Sequence, residues 1–252
     1  MSESLLQQLT AMSHELGRPE HGLVILGEGN TSTLVDDKTF YVKGSGSQLA
    51  TIAPNQFSHV MLEPVLDMLK SPDMSEVAVD QALRAALVNP ALPKPSIETT
   101  LHALCLTKGG AKFVGHTHAE AVNQVLCSKL GAEPFMQHIF PDAVVVCGEA
   151  PLIVPYAEPG MHLAIAFRNA LDDYLQKYGV KPKLVLMTNH GIIALGQTAK
   201  DVINVTMMAQ KWARILVGSL TLGGASYLST QSVKALDSRL DEKQRRQSLS
   251  SS

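Results

Sequence analysis

Apolar residues recur at near-helical spacing through Leu5, Leu6, Leu9, Met12, His14 and Leu16, and Gly17 and Pro19 close the run. The pattern predicts an amphipathic helix lying on a sheet. Residues 23–26 and 39–42 are short β-rich runs between polar, glycine-rich stretches, and they predict early strands. Residues 75–88 and 96–107 carry helical patterns, and 112–118 reads as a strand that enters a helix near Ala119. Farther on, 143–147 and 152–155 predict strands, 161–178 a helix, 183–188 a buried strand and 200–217 a last long helix. Early strands followed by alternating helices and strands predict an α/β domain with its sheet covered on both faces, less regular than a doubly wound parallel fold.

A length of 252 residues with 45% hydrophobic content fits one larger core better than two. The expected division is a domain over 1–225 and a C-terminal extension over 226–252. In that extension the charges between Asp237 and Arg246 read as a solvated helical face, and the serine-rich end reads as disordered. A net charge of −2 without a basic block leaves no footprint for a nucleic-acid backbone or an anionic membrane. The longest apolar runs fall far short of the roughly 20 residues that a spanning helix needs. The first sixteen residues lack the basic start and apolar centre of a secretory signal, so the expected setting is soluble and cytoplasmic. Cys105, Cys127 and Cys147 are widely separated, without a close pair to clasp zinc or cycle redox state, and read as reduced thiols.

The candidate chemistry begins with His116 and His118. Residues two apart in a strand point to one face, so the two imidazoles form a bidentate clamp. A catalytic zinc takes three protein ligands and keeps one position open. His190, which follows a buried apolar run and precedes Gly191, is the candidate for the third. Glu98 stands at a helix start, where the helix dipole favours a carboxylate. By pattern alone these residues also fit unrelated histidines and an ordinary helix-start acid, and the Gly, Ser and Asn of the neighbouring motifs fit ordinary turns.

Taken together, Gly29-Asn30-Thr31-Ser32, Lys43-Gly44-Ser45-Gly46, Pro95-Ser96-Ile97-Glu98, His116-Thr117-His118 and Asn189-His190-Gly191 resemble the class II aldolase/adducin family in order and approximate spacing. The resemblance covers residues 5–218. It implies a three-layer α/β/α sandwich with a central, largely antiparallel sheet, assembled as a homotetramer with sites at subunit interfaces. It also implies that His116, His118 and His190 bind Zn2+, or another divalent metal such as Mn2+ or Co2+. Glu98 would be a ligand at rest and the proton-transfer base, and Gly29, Asn30, Ser45, Gly46 and Ser96 would line a phosphate pocket. Where fuculose-phosphate aldolases of this family have a second phosphate-binding serine, this chain has Ile97, and Lys43 is the charge available to compensate.

The activity implied is metal-dependent cleavage or formation of a C–C bond in a ketose, typically a ketose phosphate, through a zinc-stabilised enediolate. His138 or Asp142 would serve the aldehyde oxygen. The stretch from His138 to Gly148 looks more like the aldolase half of bifunctional rhamnulose-phosphate aldolase/dehydrogenases. A sugar-phosphate 4-epimerase and an oxo-acid phosphate decarboxylase of the same family are the enzymatic alternatives. Glu98, where the epimerases typically have aspartate, favours an aldolase, whereas Asp142 leaves epimerisation open. The alternative of another class is an adducin-like interaction domain without catalysis, which would have lost its metal ligands. His102 and Cys105 read as packing residues of the helix after Glu98.

Overall fold

The computed structural model describes residues 4–71 and 73–239. Its strands are β1 (Asn30–Leu34), β2 (Thr39–Lys43), β3 (Phe57–Met61), β4 (Phe113–Thr117), β5 (Leu152–Val154), β6 (Leu184–Met187) and β7 (Gly191–Gly196). They form one seven-stranded sheet in the order β3-β2-β1-β4-β7-β6-β5. Every pairing is antiparallel except that of β5 with β6. The α-helices of the described residues are α1 (Leu5–Leu16), α2 (Leu62–Asp67), α3 (Glu76–Ala85), α4 (Thr99–Leu106), α5 (Glu120–Leu126), α6 (Pro141–Cys147), α7 (Met161–Tyr178), α8 (Ala199–Thr221) and α9 (Thr230–Ser238).

Two cores sandwich the sheet, and strand alternation assigns side chains to each. Val114, Val185, Met187, Ile193 and Leu195 pack with α2, α3, α4 and α7. Phe113, Leu184, Leu186, Ile192 and Ala194 pack with α1, α5, α6 and α8. The architecture is therefore the three-layer α/β/α sandwich with a largely antiparallel sheet that the sequence led us to expect. No helix of the described residues is long and apolar enough to cross a membrane.

Two predicted strands are not strands. Residues 23–26 form a loop in which Leu23 is buried, Ile25 and Leu26 are exposed, and Leu26 turns the chain at φ 51. Residues 143–147 belong to α6, because Pro141 in the first turn is pre-set for helical geometry and overrides the β-branched run that follows. Conversely, β1, β3 and β7 were not anticipated. β1 is polar in sequence yet central in the sheet, and its hydroxyls are satisfied inside. The Ser13 and Thr31 hydroxyls pair at 2.6 Å, Ser32 Oγ lies 2.6 Å from His102 Nδ1, and Thr33 Oγ1 donates to the Lys112 carbonyl. Thr230–Ser238 is helical, capped by Ser229; the expected serine-rich disorder and most of the charged face lie outside the described residues.

Candidate metal centre

α4 and β4 carry the early half of the site. All eight residues of α4 are buried, so it is a core helix rather than a surface one. Glu98 is its N-cap residue but makes no capping hydrogen bond. Its carboxylate turns away to the histidines, Oε1 lying 3.2 Å from His190 Nε2 and Oε2 3.5 Å from His116 Nε2.

His116 lies at the C-terminal end of β4, with its side chain 1% exposed. Its Nδ1 donates to the carbonyl of Ile192 on the neighbouring strand at 2.9 Å, which leaves Nε2 as a lone pair. His118 Nε2 lies 3.2 Å from that atom, so the two imidazoles stand side by side. His190 reaches them from the tight connection between β6 and β7. Asn189 takes a left-handed conformation there, φ 55, which asparagine tolerates better than most residues. A Cβ on Gly191 would lie 2.5 Å from the Thr117 carbonyl, so glycine lets the hairpin close onto β4. Asn123 of α5 donates to the His190 carbonyl at 2.9 Å and fixes the tip.

Ligand atoms from His116, His118 and His190 all lie within 4.8 Å of one another. Imidazole nitrogens converging at this spacing beside a carboxylate are a donor set that suits a divalent cation such as zinc. Burial pushes the His116 imidazole down to about 4, against the opposing pull of Glu98, and burial also lowers His118. Both rings are therefore neutral near pH 7, as ligation requires. Burial alone would raise Glu98, but its interactions with His116, His190 and Asn30 outweigh it and hold the carboxyl well below its usual range. Behind His118, Glu28 Oε1 stands 3.7 Å from Nδ1.

Most of the other predicted residues gather around this cluster. The Asn30 amide donates to Glu98 Oε2 at 2.7 Å and to Ser96 Oγ at 3.3 Å. Gly29, at φ 67, passes so close to β4 that a Cβ would meet the His116 carbonyl at 2.6 Å. Lys43 is buried, donates to the Gly27 carbonyl at 3.2 Å, and feels the charge of Glu98. A backbone bridge between Gly44 and Pro95, with Ser45 N–H donating to the Lys94 carbonyl, draws exposed Ser45 and Gly46 toward the segment carrying Ser96. Ile97 is exposed beside them.

His138 lies elsewhere: its ring stacks on Trp212 at 4.5 Å and its Nε2 bonds the Glu149 carbonyl at 3.0 Å. Neither interaction involves the three histidines. Asp142 sits half-buried in the first turn of α6, which packs against α8 and α9.

A groove of about 490 Å³ opens beside His118, lined by Val24, Glu28, Glu120, Asn123 and Gln124 among others. A more apolar cavity of about 300 Å³, between Lys181, Lys183, Val145 and Asn204, lies at the opposite ends of the strands and includes none of the histidines.

Over residues 7–217 the sequence matches the family described as Class II Aldolase and Adducin N-terminal domain. The chain belongs to the class II aldolase and adducin family. Among its relatives, the uncharacterized oxidoreductase YuxG of Bacillus subtilis is 30% identical over 69% of this chain, which spans only 24% of that protein. A 3-oxo-tetronate 4-phosphate decarboxylase of Haemophilus influenzae is 25% identical over 89% of the chain and 94% of the decarboxylase. A rhamnulose-1-phosphate aldolase of Pectobacterium carotovorum is 26% identical over 81% and 72% of the two chains. Among solved structures, an L-fuculose 1-phosphate aldolase shares the fold at a TM-score of 0.70 and 18% identity, over 94% of this chain and 96% of its own.

Two residues hydrogen-bonded to this cluster and its surroundings were not singled out from the sequence. His102 stands one helical turn after Glu98 on α4, a spacing that puts both on one face and was the available signal. Asn123, in the helix after His118, carried none.

Proposed function

We propose that this chain is a metal-dependent lyase of the aldolase type, cleaving or forming a C–C bond in a ketose, typically a ketose phosphate. The observation that carries the reading is the convergence of His116, His118 and His190 around the ionised Glu98, which stands 3.2 Å from His190. His116, His118, His190 and Glu98 would hold Zn2+. When bound, the cation supplies positive charge for the oxygen on which the electrons of the breaking C–C bond come to rest.

The chain's own residues would do the remaining work. Glu98 exchanges the proton beside the carbonyl, with Asn30 steadying the oxygen that does not face His190. Lys43 provides a fixed charge for a phosphate, and Gly29, Asn30, Ser45, Gly46 and Ser96 supply the polar rim around it. Asp142 is the candidate acid for the aldehyde oxygen. His138, buried against Trp212, is better placed to pack than to transfer protons. A homotetramer in the cytoplasm remains part of the proposal.

A second reading, decarboxylation of an oxo-acid phosphate, is favoured by the match to nearly the whole length of the Haemophilus decarboxylase. Both reactions release a carbon-centred electron pair beside a carbonyl, so one centre serves either. The test is to incubate zinc-loaded protein with ketose 1-phosphates and 3-oxo-tetronate 4-phosphate while following aldehyde and carbon dioxide. Aldehyde release supports the first reading, carbon dioxide the second. A protein that binds no zinc and cleaves nothing refutes both.

A further inference from the structure

Glu98 ends a buried chain of hydrogen bonds that starts at Ser32. Asn30 and Ser32 stand two apart on β1 and share a face of the sheet. Glu98 and His102 stand four apart at the start of α4 and share a face of the helix. The two periodicities mesh. Ser32 Oγ is 2.6 Å from His102 Nδ1, His102 Nε2 is hydrogen-bonded to Asn30 Oδ1, and Asn30 Nδ2 is 2.7 Å from Glu98 Oε2. His102, Ser32 and Asn30 are all buried, with His102 and Ser32 at 0% exposure.

The chemistry allows one direction through this chain. An ionised carboxylate only accepts, so the Asn30 amide must turn its NH2 to Glu98 and its carbonyl to His102. His102 must then carry its proton on Nε2, and its Nδ1 lone pair accepts from the Ser32 hydroxyl. Flipping Asn30 would press its carbonyl against the carboxylate of Glu98 and its NH2 against the N–H of His102.

We infer that His102 is a positioning residue, which locks the Asn30 amide in one orientation and thereby fixes the Glu98 carboxylate beside the three histidines. The inference rests on the role proposed above for Glu98. It leaves any phosphate contact of Asn30 to its backbone, since both ends of its side-chain amide are already engaged.

The first measurement is the 15N spectrum of histidine-labelled full-length protein, zinc-loaded and metal-free. His102 should show a protonated Nε2 and an unprotonated Nδ1 in both, and the opposite tautomer overturns the inference. The second is zinc affinity by chelator competition. His102→Phe should weaken zinc by on the order of tenfold, as loss of an outer partner of a metal-site carboxylate does, while His102→Gln, which keeps an N–H donor near the Nε2 position, stays near the parent. In a Glu98→Gln background, His102→Phe should cost nothing more, because the carboxylate it acts through is gone. Equal affinities for parent and His102→Phe, or losses that multiply in the double variant, refute the inference. If His102→Phe does not fold, Ser32→Ala, which removes the donor to Nδ1, takes its place in the same cycle. A parent that binds no zinc refutes the metal reading, and the tautomer of the metal-free protein then decides the positioning role by itself.

Discussion

Glu98 Oε1 lies 3.2 Å from His190 Nε2, joining the start of a buried helix to the tip of a β-hairpin almost a hundred positions later. Replacing Glu98 by Gln preserves the shape of that contact and removes the charge and the base. The expected outcome is a folded protein that still binds zinc within about tenfold of the parent. Its turnover falls by roughly 10²–10⁴-fold, the usual worth of a positioned acid–base group. Calorimetric zinc titration beside a cleavage assay measures both, and undiminished turnover removes Glu98 from the chemistry.

Much of this centre was legible beforehand, and the reason is local. His116 and His118 announce themselves by strand spacing, and His190 by its place after a buried apolar run. What stayed hidden depends on tertiary context. β1 was illegible because Asn30, Thr31, Ser32 and Thr33 are polar, and only partners from α1, α4 and the residue before β4 make them suitable for an interior strand. α6 was misread because Val144, Val145 and Val146 favour strands until Pro141 starts a helix. His102 read as packing because its partner, Asn30, lies some seventy positions away.

Gly191 tests the hairpin. A methyl group there meets the Thr117 carbonyl at 2.5 Å and His118 Cδ2 at 3.0 Å. Gly191→Ala should destabilise by about 1–3 kcal/mol, as overpacking does. It should also weaken zinc more than an equally destabilising change remote from the site. Paired urea melts and chelator competitions make the comparison; a variant with parental zinc affinity argues against close packing as the device that sets His190.

Lys43→Met keeps the buried stem of the side chain and deletes its charge. For a phosphorylated substrate, loss of a charged hydrogen bond of about 1.5–3 kcal/mol should raise KM by roughly 10–100-fold with little change in kcat. For the same sugar without phosphate the variant and parent should match. An equal effect on both sugars would show that Lys43 does not read phosphate.

Acid should unfold the metal-free protein through its buried histidines. Burial lowers His102 to about 3 and His116 to about 4, from 6.5. Below pH 6.5 the unfolded chain binds protons that the folded chain refuses. Stability is thus level above that pH and falls toward pH 4, by roughly 1.4 kcal/mol per unit for each such ring. Glu98, held below the usual carboxylate range, adds a further loss once the pH drops under 4.5. Urea midpoints from pH 8 to pH 4.5 follow this, and a flat profile would mean that these rings titrate normally in the fold.

The polar strand β1 carries one further implication. Asn30, Thr31, Ser32 and Thr33 are all buried, with β2 on one side, β4 on the other and a helical layer over each face. Amides in such a place exchange with solvent only when the whole molecule opens. The strand beneath the candidate metal centre therefore belongs with the last region to melt. Change is easier at the surface, where Ile25, Ile97 and Ser45 face water and substitutions leave the buried strand undisturbed.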